Sequence, residues 1–275
     1  MLTYTLCALA GIAAFGFYLF FYRDWRRRRQ LRQPFPTHWR ERLHAQVPLY
    51  RRLPPHLQHQ LEQHVQLFLA EKIFYGCDGF EVDDTVRLTI AGHACLLILA
   101  RRFSDFDDVR SILVYPDEYH VRDEESDGLV VSVSHQIRAG EASSYGQIVL
   151  AWADCVHGAV HPHGEHNVIL HEFAHQLDYL DGTADGAPPL KGEQAQHWQH
   201  TMSRAYNHLI ESIDHHHEPW LDPYGATEPA EFFAVLTETF YQQPNHLKVH
   251  QPEVYAALRG FYRFDPLTAN TLPQG

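Results

Sequence analysis

The segment VILHEFAHQLD, residues 168–178, contains an HExxH motif between His171 and His175. Apolar residues surround the motif at helical spacing, and Asn167 and Gly182 are residue types that begin and end helices. Residues four apart on a helix share a face, so both imidazoles can reach one ion. Zinc accepts such ligands and keeps a position open for water, whose proton Glu172 can take. The alternative is a helix with two half-exposed histidines and a solvated glutamate.

A third metal ligand has two possible sources. Six residues after His175 stands Asp181, but a chain that binds metal there needs a glycine where this sequence has Asp178. We therefore reject that route. A later helix over residues 228–240, EPAEFFAVLTETF, offers Glu231 near its start and Glu238 two turns on. Either glutamate could supply a carboxylate to the metal from a separate helix, and the spacing alone leaves the choice between them open.

The N-terminal segment, residues 2–22, has no charged residue and is followed by six arginines within residues 23–32. At about 1.5 Å per residue a helix of this length spans about 31 Å, close to the thickness of a bilayer's hydrocarbon core. The flanking arginines place the rest of the chain in the cytoplasm. The sequence thus predicts a single-pass protein of a bacterial inner membrane, with lipid contact through residues 2–22. A signal peptide and a buried core helix are the alternatives.

Composition excludes several functional classes. The net charge is −12 over 275 residues, with +5 on residues 1–33 and −17 on the rest, so direct nucleic-acid binding is disfavoured. Four separated cysteines argue against a disulfide scaffold, and the absence of a CxxC pair excludes a zinc ribbon. With 22 histidines in the chain, a lone histidine carries little information.

The order of elements predicts an α+β fold, with strands preceding a helical half. The stretch from Thr85 to Leu99 fits either a buried helix or a strand. Four regions are predicted: a transmembrane anchor at 1–22, a basic and Pro-rich connector at 23–52, a catalytic domain at 53–266 and a tail at 267–275. The predicted strands are Ser111–Tyr115, Leu129–Ile137 and Gln147–Trp152, and the predicted later helices are Asn167–Leu180, Gln194–Ile213 and Pro229–Tyr241.

Two motifs together carry a family resemblance. HEFAHQLD at 171–178 with PAEFFAVLTE at 229–238 resembles the Mlc titration factor A family of zinc peptidases. ILVYP at 112–116, GLVVSVSHQIRAG at 128–140 and GQIVLAW at 146–152 extend the likeness over most of residues 53–266.

The resemblance implies a zincin-like metallopeptidase domain that binds one Zn²⁺ per chain through His171, His175 and Glu231. It also marks His135 as a metal-associated residue, which on physical grounds alone is a histidine at a strand end. Similarity to lethal-factor-type zinc peptidases places a tyrosine seven residues before the ligating glutamate, here Tyr224. Its hydroxyl would donate to an oxyanion, and the alternative is a packed aromatic ring.

The predicted function is zinc-dependent peptide hydrolysis with Glu172 as general base, and the family resemblance implies a preference for short peptides with a free amino terminus. The family resemblance also implies an alternative: an interaction protein that binds a transcriptional repressor of sugar uptake, with the zinc site secondary. A zinc hydrolase acting on non-peptide amides is a third possibility.

Overall fold

The computed structural model describes residues 21–117, 146–160 and 166–271, together with Tyr4 and Gly11. Short 3₁₀ helices cover Phe103–Phe106, Tyr179–Asp181 and Pro223–Ala226. The α-helices are α1 (21–31), α2 (Thr37–Gln46), α3 (Pro48–Arg52), α4 (Pro55–Glu71), α5 (Asp84–Leu97), α6 (Trp152–Val160), α7 (Val168–Asp178), α8 (Glu193–Asp214), α9 (Pro229–Gln242), α10 (Pro244–His250) and α11 (Pro252–Tyr262). The strands are β1 (Ile73–Gly76), β2 (Ser111–Tyr115), β3 (Gln147–Ala151), β4 (Phe264–Asp265) and β5 (Asn270–Thr271).

The predicted α+β class is wrong, because the described chain is mostly helical and carries a small parallel sheet. Strands β1, β2 and β3 lie in that order, and Ser111 pairs with Ile73 on one side and Gln147 on the other. Two neighbouring strands that run parallel need a crossover connection between them. Between β1 and β2 the crossover includes α5, so the ambiguous stretch 85–99 is largely helical. The predicted strands 111–115 and 147–152 are confirmed apart from Trp152, whereas 129–137 lies outside the described residues.

The N-terminus requires a second correction. No helix among the described residues combines the length and apolar character needed to cross a bilayer. This finding contradicts the predicted transmembrane helix and the predicted single-pass membrane location, and the predicted lipid contact through residues 2–22 is unconfirmed. Of residues 2–22, all but Tyr4, Gly11 and 21–22 lie outside the described part.

The side chain of Arg27 connects helix α1 to the rest of the protein. The guanidinium of Arg27 donates to both carboxylate oxygens of Glu71, at 2.7 and 2.8 Å, and pairs with Asp107. Arg27 also lies over the Phe103 ring, 4.9 Å from its centroid. The predicted connector 23–52 also contains α2 and α3, and α2 packs against α5. Its prolines do not prevent these helices, because Pro36 directly precedes α2 and Pro48 occupies the first turn of α3. The limits at 53 and 266 stay predictions.

The helix that carries HExxH lies at the centre of the core. It packs against α5, α9 and β3, and its Phe173 ring meets the rings of Phe68 and Phe106. Helix α5 in turn approaches α2 closely at Gly92, where an added Cβ would meet a Val47 methyl at 2.6 Å. These contacts bury one face of α7, so its histidine face is left for the site.

Candidate metal centre

Helix α7 presents its two histidines on one face. Asn167 caps the helix, with its side chain accepting from the Leu170 N–H at 3.2 Å, and Gly182 ends the following turn at φ 95°. Both helix limits predicted from the sequence are thus confirmed. The His171 and His175 rings lie 4.9 Å apart, and their Nε2 atoms are 3.2 Å apart. The spacing of four residues therefore brings two imidazole nitrogens to one point.

Helix α9 brings a carboxylate to the same point. The helix begins at Pro229, as the sequence predicts, and runs alongside α7 with Glu231 in its first turn. One Glu231 oxygen, Oε2, lies 2.8 Å from His171 Nε2, and the other, Oε1, lies 3.5 Å from His175 Nε2. His171, His175 and Glu231 form a group whose ligand atoms lie within 4.8 Å of one another.

The spacing of these atoms fits a small divalent metal ion. A tetrahedral site with metal–nitrogen distances of about 2.0–2.1 Å separates its ligand atoms by roughly 3.3 Å. The observed separations of 3.2, 2.8 and 3.5 Å bracket that value. Glu231 Oε2 is also buried and accepts no hydrogen bond of normal geometry. A buried carboxylate oxygen without a donor is costly, and a cation among the three side chains would satisfy it.

The charges of His171, His175 and Glu231 favour a cation between them. Burial alone would lower the pKa of His171, yet its contacts with Glu231 and Glu238 raise it well above the usual value. Burial alone would raise the pKa of Glu231, but the two imidazoles lower it to about 2. The carboxylates thus favour positive charge where the imidazole nitrogens meet.

Glu238, the other candidate for the third ligand, has a different position. Its side chain is 2% exposed and lies behind His171, where Oε1 accepts from Nδ1 at 2.8 Å. The other oxygen, Oε2, accepts from the backbone N–H of Asn167. With Nδ1 held as a donor, the Nε2 atom of His171 is free to bind metal. The seven-residue spacing from Glu231 places both on one helix face, but it does not reveal which one meets the imidazole from behind.

The remaining predicted residues occupy different surroundings. Glu172 is half-buried beside the first histidine. The Tyr224 ring lies 6.0 Å from the His171 ring, and burial followed by repulsion from Glu231 and Glu172 raises the pKa of its hydroxyl to about 12. His135 lies outside the described residues. Asp178, which the sequence analysis did not place among the site residues, accepts a hydrogen bond from the Gly186 N–H at 2.8 Å, and burial raises its pKa to about 6.

The sequence analysis missed two polar side chains near Tyr224. His166 Nε2 lies 2.8 Å from an Asp222 oxygen, and the other Asp222 oxygen accepts from the Tyr224 N–H at 2.8 Å. One signal was available, because aspartate directly before a proline is a common start for a turn. The histidine gave no signal, since it follows a His-rich stretch in a His-rich chain.

Comparison with known proteins points to one family. The pattern of the family described as "Glucose-regulated metallo-peptidase M90" matches residues 22–263. An uncharacterised protein of Synechocystis sp. is 40% identical over 95% of this chain and 96% of its own length. A protein of Klebsiella pneumoniae named Mlc titration factor A is 32% identical over 80% of this chain and 84% of its own. The protein of that name in Escherichia coli is 32% identical over 83% and 86%.

Proposed function

Because the chain belongs to the glucose-regulated metallopeptidase family M90, we propose that it is a zinc-dependent peptidase whose ion is held by His171, His175 and Glu231. The observation that carries the proposal is the meeting of two imidazole nitrogens and one carboxylate at tetrahedral spacing. Two nitrogen ligands and one carboxylate form a donor set of catalytic zinc sites, which keep a fourth position for water.

Bound zinc would polarise a peptide carbonyl and make a water molecule more acidic. The chain's own residues do the rest. Glu172, adjacent to His171 on α7, accepts the proton of the attacking water and delivers it to the leaving amine. Tyr224 donates its hydroxyl proton in a hydrogen bond to the developing oxyanion, and its raised pKa keeps that proton in place at neutral pH.

The charge around the site supports a preference for short peptides with a free amino terminus. The carboxylates of Glu172, Glu228, Glu231 and Glu238 all act on the Tyr224 hydroxyl. Among the described residues, no lysine or arginine lies within ion-pair distance of these four carboxylates. An excess of negative charge attracts a protonated amino group, which is the chemical mark of an aminopeptidase substrate. Comparing free with acetylated dipeptide amides tests this preference.

The central experiment measures metal content and peptide hydrolysis on the full chain. We expect about one zinc per chain in the wild type and in Glu172→Gln, with cleavage in the wild type alone. His171→Ala should lose both zinc and activity. The surface variant His200→Ala, which changes an exposed histidine on α8, is the matched control. Normal zinc content in His171→Ala would refute the proposed site.

A second candidate function comes from the relatives named Mlc titration factor A. On this alternative the chain binds a repressor of the Mlc type, and the metal site stabilises the fold. One variant distinguishes the two functions, because Glu172→Gln should abolish peptide cleavage and leave repressor binding unchanged. Repressor binding by a chain that cleaves no peptide over a broad panel would favour the alternative.

A further inference from the structure

A chain of polar side chains connects His171 to Tyr224 on the side away from Glu231. Its first member is Glu238, which joins the His171 ring to the start of α7 through the Asn167 N–H. Since Glu238 is almost completely buried and makes both contacts with one carboxylate, the position of the His171 ring is coupled to the N-terminus of its helix.

His166 is the second member of the chain. Its Nδ1 atom lies 3.9 Å from Glu238 Oε2, and its Nε2 atom lies 2.8 Å from Asp222 Oδ2. The first distance is too long for a hydrogen bond but within the range of an ion pair, and the second is a normal hydrogen-bond distance. The His166 side chain is 60% exposed, and its imidazole lies between the carboxylates of Glu238 and Asp222, which belong to different segments.

Asp222 is the third member and contacts the Tyr224 segment directly. While Oδ2 pairs with His166, Oδ1 accepts from the Tyr224 N–H and caps the 3₁₀ helix Pro223–Ala226. The same turn is closed by Thr227, whose hydroxyl donates to the Tyr224 carbonyl at 2.7 Å. Through these contacts the backbone of Tyr224 is tied to the segment that leads into α7.

We propose that His166 and Asp222 are positioning residues, which together with Glu238 hold Tyr224 at a set distance from the metal ligand His171. This inference rests on the proposed function, because it gives Tyr224 the role of oxyanion donor. A hydrogen bond to an oxyanion depends on placement within a fraction of an ångström, and a backbone tie is the means by which a turn achieves such placement. His166 and Asp222 contribute no ligand to the metal and no proton to the substrate.

The first arm of the test is kinetic and uses the full chain. Asp222→Ala and His166→Ala should each lower kcat on the order of tenfold to a hundredfold, with KM and zinc content near wild type. In a Tyr224→Phe background the same substitutions should have no further effect, because they act through the hydroxyl that is missing. Independent, additive losses in the double variants would overturn the proposal.

The second arm does not depend on activity. With 3-fluorotyrosine at position 224, the ¹⁹F signal should shift or broaden in Asp222→Ala and in His166→Ala, with and without added zinc. The matched control is Asp181→Asn, an exposed aspartate that closes a comparable turn with Thr183 away from this chain of contacts. A wild type that cleaves no peptide would refute the proposed function, yet the ¹⁹F comparison would still test the positioning. A signal that is identical in the wild type and both variants would overturn it.

Discussion

Removing the carboxylate of Glu238 should loosen the metal centre without removing a ligand. In Glu238→Ala, two donors lose their acceptor in a buried place: the Nδ1–H of His171 and the backbone N–H of Asn167. An orphaned buried donor costs about 1–3 kcal/mol, so the free energy of unfolding should fall by about 2–6 kcal/mol. The loss of the group that orients a ligand imidazole typically weakens metal binding about 10- to 100-fold. Glu238→Gln keeps one acceptor oxygen and should show about half of the loss in stability.

The assay combines zinc competition against a chromophoric chelator with urea unfolding of the metal-free and zinc-loaded protein. Glu211→Ala, an exposed glutamate on α8, controls for the change from glutamate to alanine in a helix. Comparing the metal-free unfolding curves separates the cost of the orphaned donors from the loss of zinc binding. Wild-type zinc affinity together with wild-type stability in Glu238→Ala would refute the positioning of His171 by this carboxylate.

Three further predictions concern stability, each measured by urea unfolding. Arg27→Ala should cost about 1–3 kcal/mol, because it leaves the half-buried carboxylate of Glu71 without its cation, whereas Asp107 keeps its pair with Arg23. The exposed Arg28→Ala should cost almost nothing, and equal losses in the two variants would refute the stabilising role of Arg27. Gly92→Ala should cost about 1–3 kcal/mol through its close approach to α2, while Gly260→Ala, with open space around it, should stabilise by up to about 1 kcal/mol. Burial lowers the pKa of His64 from 6.5 to about 4, so the unfolded chain binds the extra proton between these values and stability falls as the pH drops through them. His64→Leu should remove up to about 3 kcal/mol of that dependence, and an unchanged pH profile would contradict the assignment.

Much of the candidate metal site was predictable from the sequence because its features are local. The four-residue spacing of His171 and His175 makes a pair on any helix, and Asn167 and Pro229 mark the helix starts by their own chemistry. These features depend on a few neighbouring residues, so the sequence contains them in full. Glu231 was one of two candidates on physical grounds, and the family resemblance alone favoured it.

The incorrect predictions came from features that depend on distant contacts. The type of the stretch 85–99 was left open, because it is buried over most of its length and a largely apolar run suits a strand as well as a helix. The predicted fold class was wrong because the three-stranded sheet is parallel and α5 lies between β1 and β2 along the chain. The N-terminal arginines were attributed to a membrane surface, whereas Arg27 finds its partners on α4 and in the loop before β2, more than 40 residues away.

The sequence by itself therefore determined the chemistry at this site: which side chains can bind a metal, on which helices they lie and where those helices begin. The tertiary structure decided how the two helices meet. Only the packing of α9 against α7 gives the two glutamates different positions. Glu231 faces the Nε2 atoms of both histidines, whereas Glu238 contacts Nδ1 on the other side of the His171 ring. The physical reason is that helical periodicity places both glutamates on one face, and only the partner helix distinguishes one turn of that face from another.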